Sequence, residues 1–204
     1  MIILLIIISS VMGMKPDPKP ETYGITESGE FREIKPLSSI EINLTSARSW
    51  AEDCIIESVE LSFIKPIRRV NKILNKCFTP KGKLSYQEWL TKGESDTYLE
   101  LGRTGKLPVD SELAQIISDR ITYSASKRAP GRIREIKPVI DEETGESIAR
   151  WKLTLPLILK KEESKEGSGT GSAYAEVTLI RTNATDFPYG VGIGSFVIVP
   201  YKPR

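Results

Sequence analysis

Apolar positions along this chain follow two different periods. From Trp151 to Leu159, Trp151, Leu153, Leu155, Leu157 and Leu159 alternate with Lys152, Thr154, Pro156 and Ile158. A period of two puts alternate residues on one face of an extended chain, so a half-buried strand is predicted, with the tryptophan and leucines inward. Pro156 has no N–H to give a ladder, which predicts an edge strand or a bulge there. Ile133 to Ile140 reads as the preceding strand. Asp141 to Glu146 is the hairpin loop between them, with Gly145 placed for positive φ. The polar run from Lys160 to Ser172, ending Gly-Ser-Gly-Thr-Gly-Ser, reads as a solvated loop. Ala173 to Thr182 and Val191 to Tyr201 are further strands.

Upstream the period changes. Ile67, Val70, Ile73, Leu74 and Cys77 fall at helical spacing behind Pro66, a residue suited to a first helical turn. Thr79-Pro80-Lys81-Gly82 reads as the stop. Ser85-x-x-Glu88 is a capping-box pattern before a short helix carrying Tyr86, Trp89 and Leu90. Leu113, Ile116, Ile117 and Ile121 mark a third helix, capped by Asp110 or Ser111. Closer to the N-terminus, Ile40, Ile42 and Leu44 alternate with Glu41 and Asn43, and Val59, Leu61 and Phe63 repeat that pattern. Both stretches read as strands, with Ser46 to Asp53 as a loop or short helix between them.

The resulting order is strands, helices, strands. It predicts an α+β fold: an antiparallel sheet or sandwich, strand-dominated in its C-terminal third, with two or three short helices between residues 66 and 122. Residues 23–204 are expected to form one domain. Residues 14–22 contain the Pro-alternating run KPDPKPE and read as a linker. Residues 1–13, MIILLIIISSVMG, resemble a signal-peptide h-region or an apolar N-terminal arm. The run is shorter than the roughly 20 residues that span a bilayer. These features point to an exported, envelope or virion location, or to a cytoplasmic one if Met14 is the true start.

Composition narrows the chemistry. The chain has no histidine and only two cysteines among its 204 residues. This removes Ser/His/Asp and Cys/His catalysis and the usual zinc sets, so no metal, cofactor or catalytic residue is expected. Cys54 and Cys77 would pair in an exported protein and would be buried thiols in a reduced compartment.

Basic residues number 29 and acidic ones 27, so any polyanion site must come from local clustering. Two clusters stand out. Arg68, Arg69, Lys72 and Lys76 lie in the stretch 65–83, which contains no acid. Lys127, Arg128, Arg132 and Arg134 form a second such run with Arg120 before it. Together they could bind an anionic partner; separately each reads as a solvated face. Neither is interleaved with aromatic residues in the way single-strand nucleic-acid grooves are.

Other motifs are weaker. Asn43-Leu-Thr45 and Asn183-Ala-Thr185 match the glycosylation sequon. Gly190, Gly192 and Gly194 superficially resemble a dinucleotide fingerprint, but a β-type run follows them, so a bulge or close backbone packing is expected.

The function these features predict is non-enzymatic. The chain reads as a structural or assembly subunit of an envelope, secreted or virion complex, acting through protein partners as a homo-oligomer or larger assembly. Membrane contact would come only through an uncleaved N-terminal segment. The alternative is a polyanion- or nucleic-acid-binding module using the basic helix 65–83, and a carboxylate- or metal-dependent enzyme is a third reading.

Overall fold

The computed structural model describes residues 22–25, 31–34, 42–92, 111–141, 145–163, 167–182 and 187–201. The chain divides into two units, Met1–Lys35 and Pro36–Arg204. In the first, β1 (Thr22–Ile25) and β2 (Phe31–Ile34) pair antiparallel.

The second unit opens with α1 (Leu44–Val59), and here the structure corrects the sequence reading. Leu44 and Thr45, from the first strand read, and Glu57 to Val59, from the second, are the two ends of one helix, and Ser46 to Asp53 is its middle; Glu60 to Phe63 follow the helix, and residues 39–41 lie outside the described residues. Asn43 is the N-cap, its side chain accepting from the Ser46 amide at 3.0 Å. The buried stripe is Ala47, Ala51, Cys54, Ile55, Ser58 and Val59, with Glu52 beside it. Two of these positions are alanine and two, Glu52 and Ser58, are polar, so the helical period is faint beside the louder alternation at either end.

Helix α2 (Pro66–Cys77) buries Val70, Ile73, Leu74 and Cys77 as the spacing predicts. The next correction is at Thr79–Gly82, which begins a helix rather than ending one. Thr79 caps α3 (Pro80–Thr91), accepting from the Gly82 amide at 3.2 Å, with Pro80 in the first turn. Ser85, read as the cap, lies inside α3, where its hydroxyl accepts from the Phe196 amide at 3.1 Å. A side chain at Gly82 would overlap the Ile193 carbonyl, so only glycine lets the start of α3 come this close to the sheet. Helix α4 (Glu112–Ser118) is capped by Ser111.

The C-terminal part is one antiparallel five-stranded sheet of β3 (Thr122–Lys127), β4 (Arg132–Ile140), β5 (Ser147–Glu163), β6 (Gly167–Arg181) and β7 (Val191–Pro200). β5 pairs with β6 on one side and with both β3 and β4, end to end, on the other. Pro156 is therefore in the interior of the sheet, not on an edge strand. It falls at the seam where β3 stops and β4 starts, a place where the ladder asks no N–H of it, and its carbonyl accepts from the Arg128 amide at 2.9 Å. Most of the run from Lys160 to Ser172 is strand, as a long hairpin: β5 continues to Glu163, Gly167 to Ser172 pairs back along it, and residues 164–166 lie outside the described residues. Gly194 lies opposite a register shift between Thr178 and Leu179, and a side chain there would overlap Ile180.

The helices pack on one face of the sheet. Trp151, Leu153, Leu155 and Leu157 of β5, Ala175, Val177 and Leu179 of β6, and Ile193 and Phe196 of β7 meet the apolar stripes of α1 to α4 in one core. Phe78, Tyr86, Trp89 and Phe196 form an aromatic cluster with ring centroids 4.9–5.9 Å apart. The fold class is α+β with an antiparallel, strand-dominated C-terminal part; among the described residues three helices lie between residues 66 and 122, and α1 adds a fourth upstream.

Candidate functional site

The disulfide Cys54–Cys77 joins α1 to α2, with an S–S distance of 2.11 Å and Cα atoms 5.9 Å apart. Both cysteines are buried in the core. Glu52, Asp53 and Glu57 of α1, and Glu60 just after it, are the acids that meet the basic residues of the two clusters.

On α2, Arg68, Arg69, Lys72 and Lys76 are all exposed. Their local sequence holds no acid, but α1 supplies two. Lys76 Nζ meets Glu57 Oε1 at 2.6 Å, and Arg69 Nη2 meets Glu60 Oε2 at 3.2 Å. Among the described residues, Arg68, Lys72 and the neighbouring Lys65 have no carboxylate within ion-pair distance. Ile64, Lys65, Arg68, Arg69 and Lys72 line one shallow cleft with Glu57 and Ile73.

The second surface surrounds the connection from β3 to β4. Glu52 is nearly buried, and its carboxylate accepts from the Gly131 amide at 2.8 Å and from Lys127 Nζ at 2.9 Å. Arg48 approaches the same carboxylate at 3.8 Å. The hydrogen bond to Glu52, with the charges of Glu52 and Asp53, raises the Lys127 pKa above the ordinary lysine value, against a smaller opposing cost of desolvation. A side chain at Gly131 would press on Leu153 and on the Glu52 carboxylate, so the turn is tightly built. It presents Arg128 over the Tyr201 ring, 5.6 Å from its centroid, and Tyr174 lies 5.6 Å from Tyr201. Arg128, Arg132, Thr154, Pro156, Tyr174 and Tyr201 line a groove on the outer face of the sheet. Arg134 lies further along β4, opposite Lys152.

The two clusters line separate clefts, and the acids of α1 with Glu60 pair with Arg69, Lys76 and Lys127. Sequence reading missed those acids because it took α1 for two strands and a loop. It also missed the aromatic partners of Arg128, which come from β6 and from the residue after β7, far along the chain.

A third concavity lies between the helices and the inner face of the sheet, lined in part by Val59, Trp89, Glu112, Tyr123 and Ile198. Burial, then the charge of Glu112 and the hydrogen bond to it, hold the Tyr123 phenol well above its ordinary pKa. Among the described residues, no group of three or more Cys, Asp or Glu is placed to hold a metal ion. No described helix is long and apolar enough to cross a membrane. Asn43 is exposed and engaged as a helix cap; Asn183 lies outside the described residues.

No family model and no curated protein sequence matches this chain. Solved structures do match its fold. The periplasmic domain of DotI superposes with a TM-score of 0.55 at 16% identity, over 80% of this chain and 99% of that one. An IcmL-like type IV secretion system protein from Legionella pneumophila gives 0.54 at 11% identity, over 78% and 94%. A periplasmic fragment of TraM gives 0.53 at 14% identity, over 78% and 98%. The chain therefore has the α+β fold of these three secretion-system and periplasmic proteins, reproduced nearly end to end.

Proposed function

We propose that this chain is a non-enzymatic assembly subunit of a cell-envelope complex of the secretion-apparatus kind, with its folded unit on the periplasmic side. The observation that carries the reading is the match to periplasmic domains over 98–99% of their length, which leaves little of those domains unaccounted for. The Cys54–Cys77 disulfide suits an oxidising compartment. The absence of histidine suits a protein that works through contacts rather than turnover.

The test is made in the native cell. Intact cells are treated with a membrane-impermeant thiol reagent before and after reduction, and gently solubilised envelopes are run on a native gel. The expected result is a disulfide-bonded chain in the envelope fraction that migrates in a complex much larger than 22.8 kDa. A reduced, monomeric chain in the cytosol overturns the reading.

Anion binding is the second reading, and the groove favours it. Arg128 stacked on Tyr201 beside Tyr174 supplies the aromatic and cationic mixture that single-stranded nucleic acid or an acidic peptide would meet. A salt series with a short single strand decides: Arg128→Gln with Arg132→Gln should weaken binding and flatten the salt slope if the groove is used.

A further inference from the structure

We propose that the turn Phe63–Lys65, with the first turns of α2, is a seat for an anionic lipid bilayer. Phe63 and Ile64 would enter the boundary between headgroups and acyl chains, and Lys65, Arg68 and Lys72 would meet the lipid phosphates. The proposal goes beyond assembly and does not depend on it.

Two large apolar side chains stand next to each other on the surface. Phe63 is 38% exposed and Ile64 is 65% exposed, side by side at a turn. They are not loose. The Phe63 amide donates to the Ile121 carbonyl at 3.1 Å, and the Ile64 amide donates to Ser62 Oγ at 3.3 Å. Ser62 Oγ in turn lies 3.1 Å from Thr122 Oγ1, and the two residues form an isolated bridge. The turn is thus clamped to the start of β3, and the chain holds both side chains out in water. Ile117, 41% exposed, belongs to the helix that leads into that clamp.

Cations crowd this apolar knuckle. Lys65 follows it directly, and Arg68 and Lys72 continue along the same face of α2. Among the described residues these three have no carboxylate within ion-pair distance, whereas Arg69 and Lys76 are paired with Glu60 and Glu57, so the one acid that lines the cleft, Glu57, is already held by Lys76. Arg120 precedes the residue whose carbonyl holds Phe63, and it has no ion-pair partner among the described residues. Ile64, Lys65, Arg68 and Lys72 share the cleft described above, a space of about 430 Å³.

The combination selects the occupant. A phosphate-rich polyanion would meet the cations but leave the most exposed apolar side chain, Ile64, in water. An apolar protein partner gains nothing from three unpaired cations around the contact. A bilayer surface rich in phosphatidylglycerol presents phosphate and hydrocarbon within a few ångströms of each other, and this turn matches both.

The test uses the full chain with Ile64→Trp, read against the parent protein to remove the signal of the native tryptophans. Vesicles are either pure phosphatidylcholine or an equimolar mixture with phosphatidylglycerol, each with and without lipid brominated in its acyl chains. Because quenching reports the depth of that one residue, it is independent of any contact made by residues 1–13. The expected result is a blue shift and bromolipid quenching at residue 64 in the mixed vesicles only. Changing Lys65, Arg68 and Lys72 together to Gln should abolish the quenching without altering the melting temperature, since exposed charges add little to stability. No phosphatidylglycerol-dependent quenching overturns the proposal. So does quenching that survives the triple change, or saturable binding of soluble glycerol phosphate or an oligonucleotide at these three residues with no quenching.

Discussion

Glu52 shows how a single buried carboxylate organises a surface it does not belong to. It holds the Gly131 amide and the Lys127 ammonium, and so shapes the turn that presents Arg128 and Arg132. Glu52→Ala would leave the Gly131 amide without its acceptor in a buried place, a loss of about 1–3 kcal/mol. Urea unfolding measures it, and a fall in midpoint with Lys127→Ala smaller than with Glu52→Ala is expected, because Lys127 is partly solvated. The Lys127 pairing is worth most below the ordinary lysine pKa and fades as pH rises through the higher folded value. Tyr123 gives a cleaner pH signature. Its pKa is raised in the folded state by burial first and by Glu112 second, so above pH 10 the unfolded chain loses a proton that the folded one keeps. Stability should therefore fall by up to about 1.4 kcal/mol per pH unit above that point, and Tyr123→Phe should flatten the fall in an alkaline unfolding series.

At the scale of elements, legibility followed the size of the buried side chains. β5 was plain because tryptophan and leucine alternate along it, and all four of Trp151, Leu153, Leu155 and Leu157 are at most 1% exposed. Leu155→Ala should destabilise by about 2–5 kcal/mol in urea unfolding. Lys152→Ala, on the outer face in a partly solvated pair with Glu176, should cost no more than about 1 kcal/mol. Equal small effects would mean that the strand does not face the core as described. α1 was misread for the opposite reason: alanines, a serine and a glutamate form much of its buried side, so propensity and an N-cap carry a signal that hydrophobicity does not. The same cause hid the start of α3, where Thr79-Pro80 looks like a terminator until Gly82 is seen to let a new helix approach β7. Pro156 was read rightly as a residue that cannot donate and wrongly as a mark of an edge. A seam between two partners lying end to end meets the same requirement inside a sheet.

Across the whole molecule, the α+β class was legible because it is a property of pattern. The candidate surfaces were not, because they are made by long-range neighbours. Arg69 finds Glu60, Lys127 finds Glu52 and Arg128 finds Tyr201 only once the chain is folded. The link that most tests the folded unit as one body is the disulfide. It ties α1 to α2 at a sequence separation of 23 residues, under the helices that carry both the Glu52 latch and the basic cleft. Closing a loop of that length restricts the unfolded chain and should stabilise by about 3 kcal/mol. Replacing Cys54 and Cys77 together by Ser should lower the urea midpoint correspondingly, with an added penalty for polar hydroxyls at two positions that are at most 1% exposed. The Cys54→Ala, Cys77→Ala pair removes that penalty and isolates the crosslink. Its midpoint should match that of the parent protein measured under full reduction, since both then lack the same constraint. A parent midpoint unmoved by reduction would mean that the bond contributes nothing to stability. The packing of α2 on α1 would then rest on the buried Val70, Ile73 and Leu74 and on the Arg69–Glu60 and Lys76–Glu57 pairs.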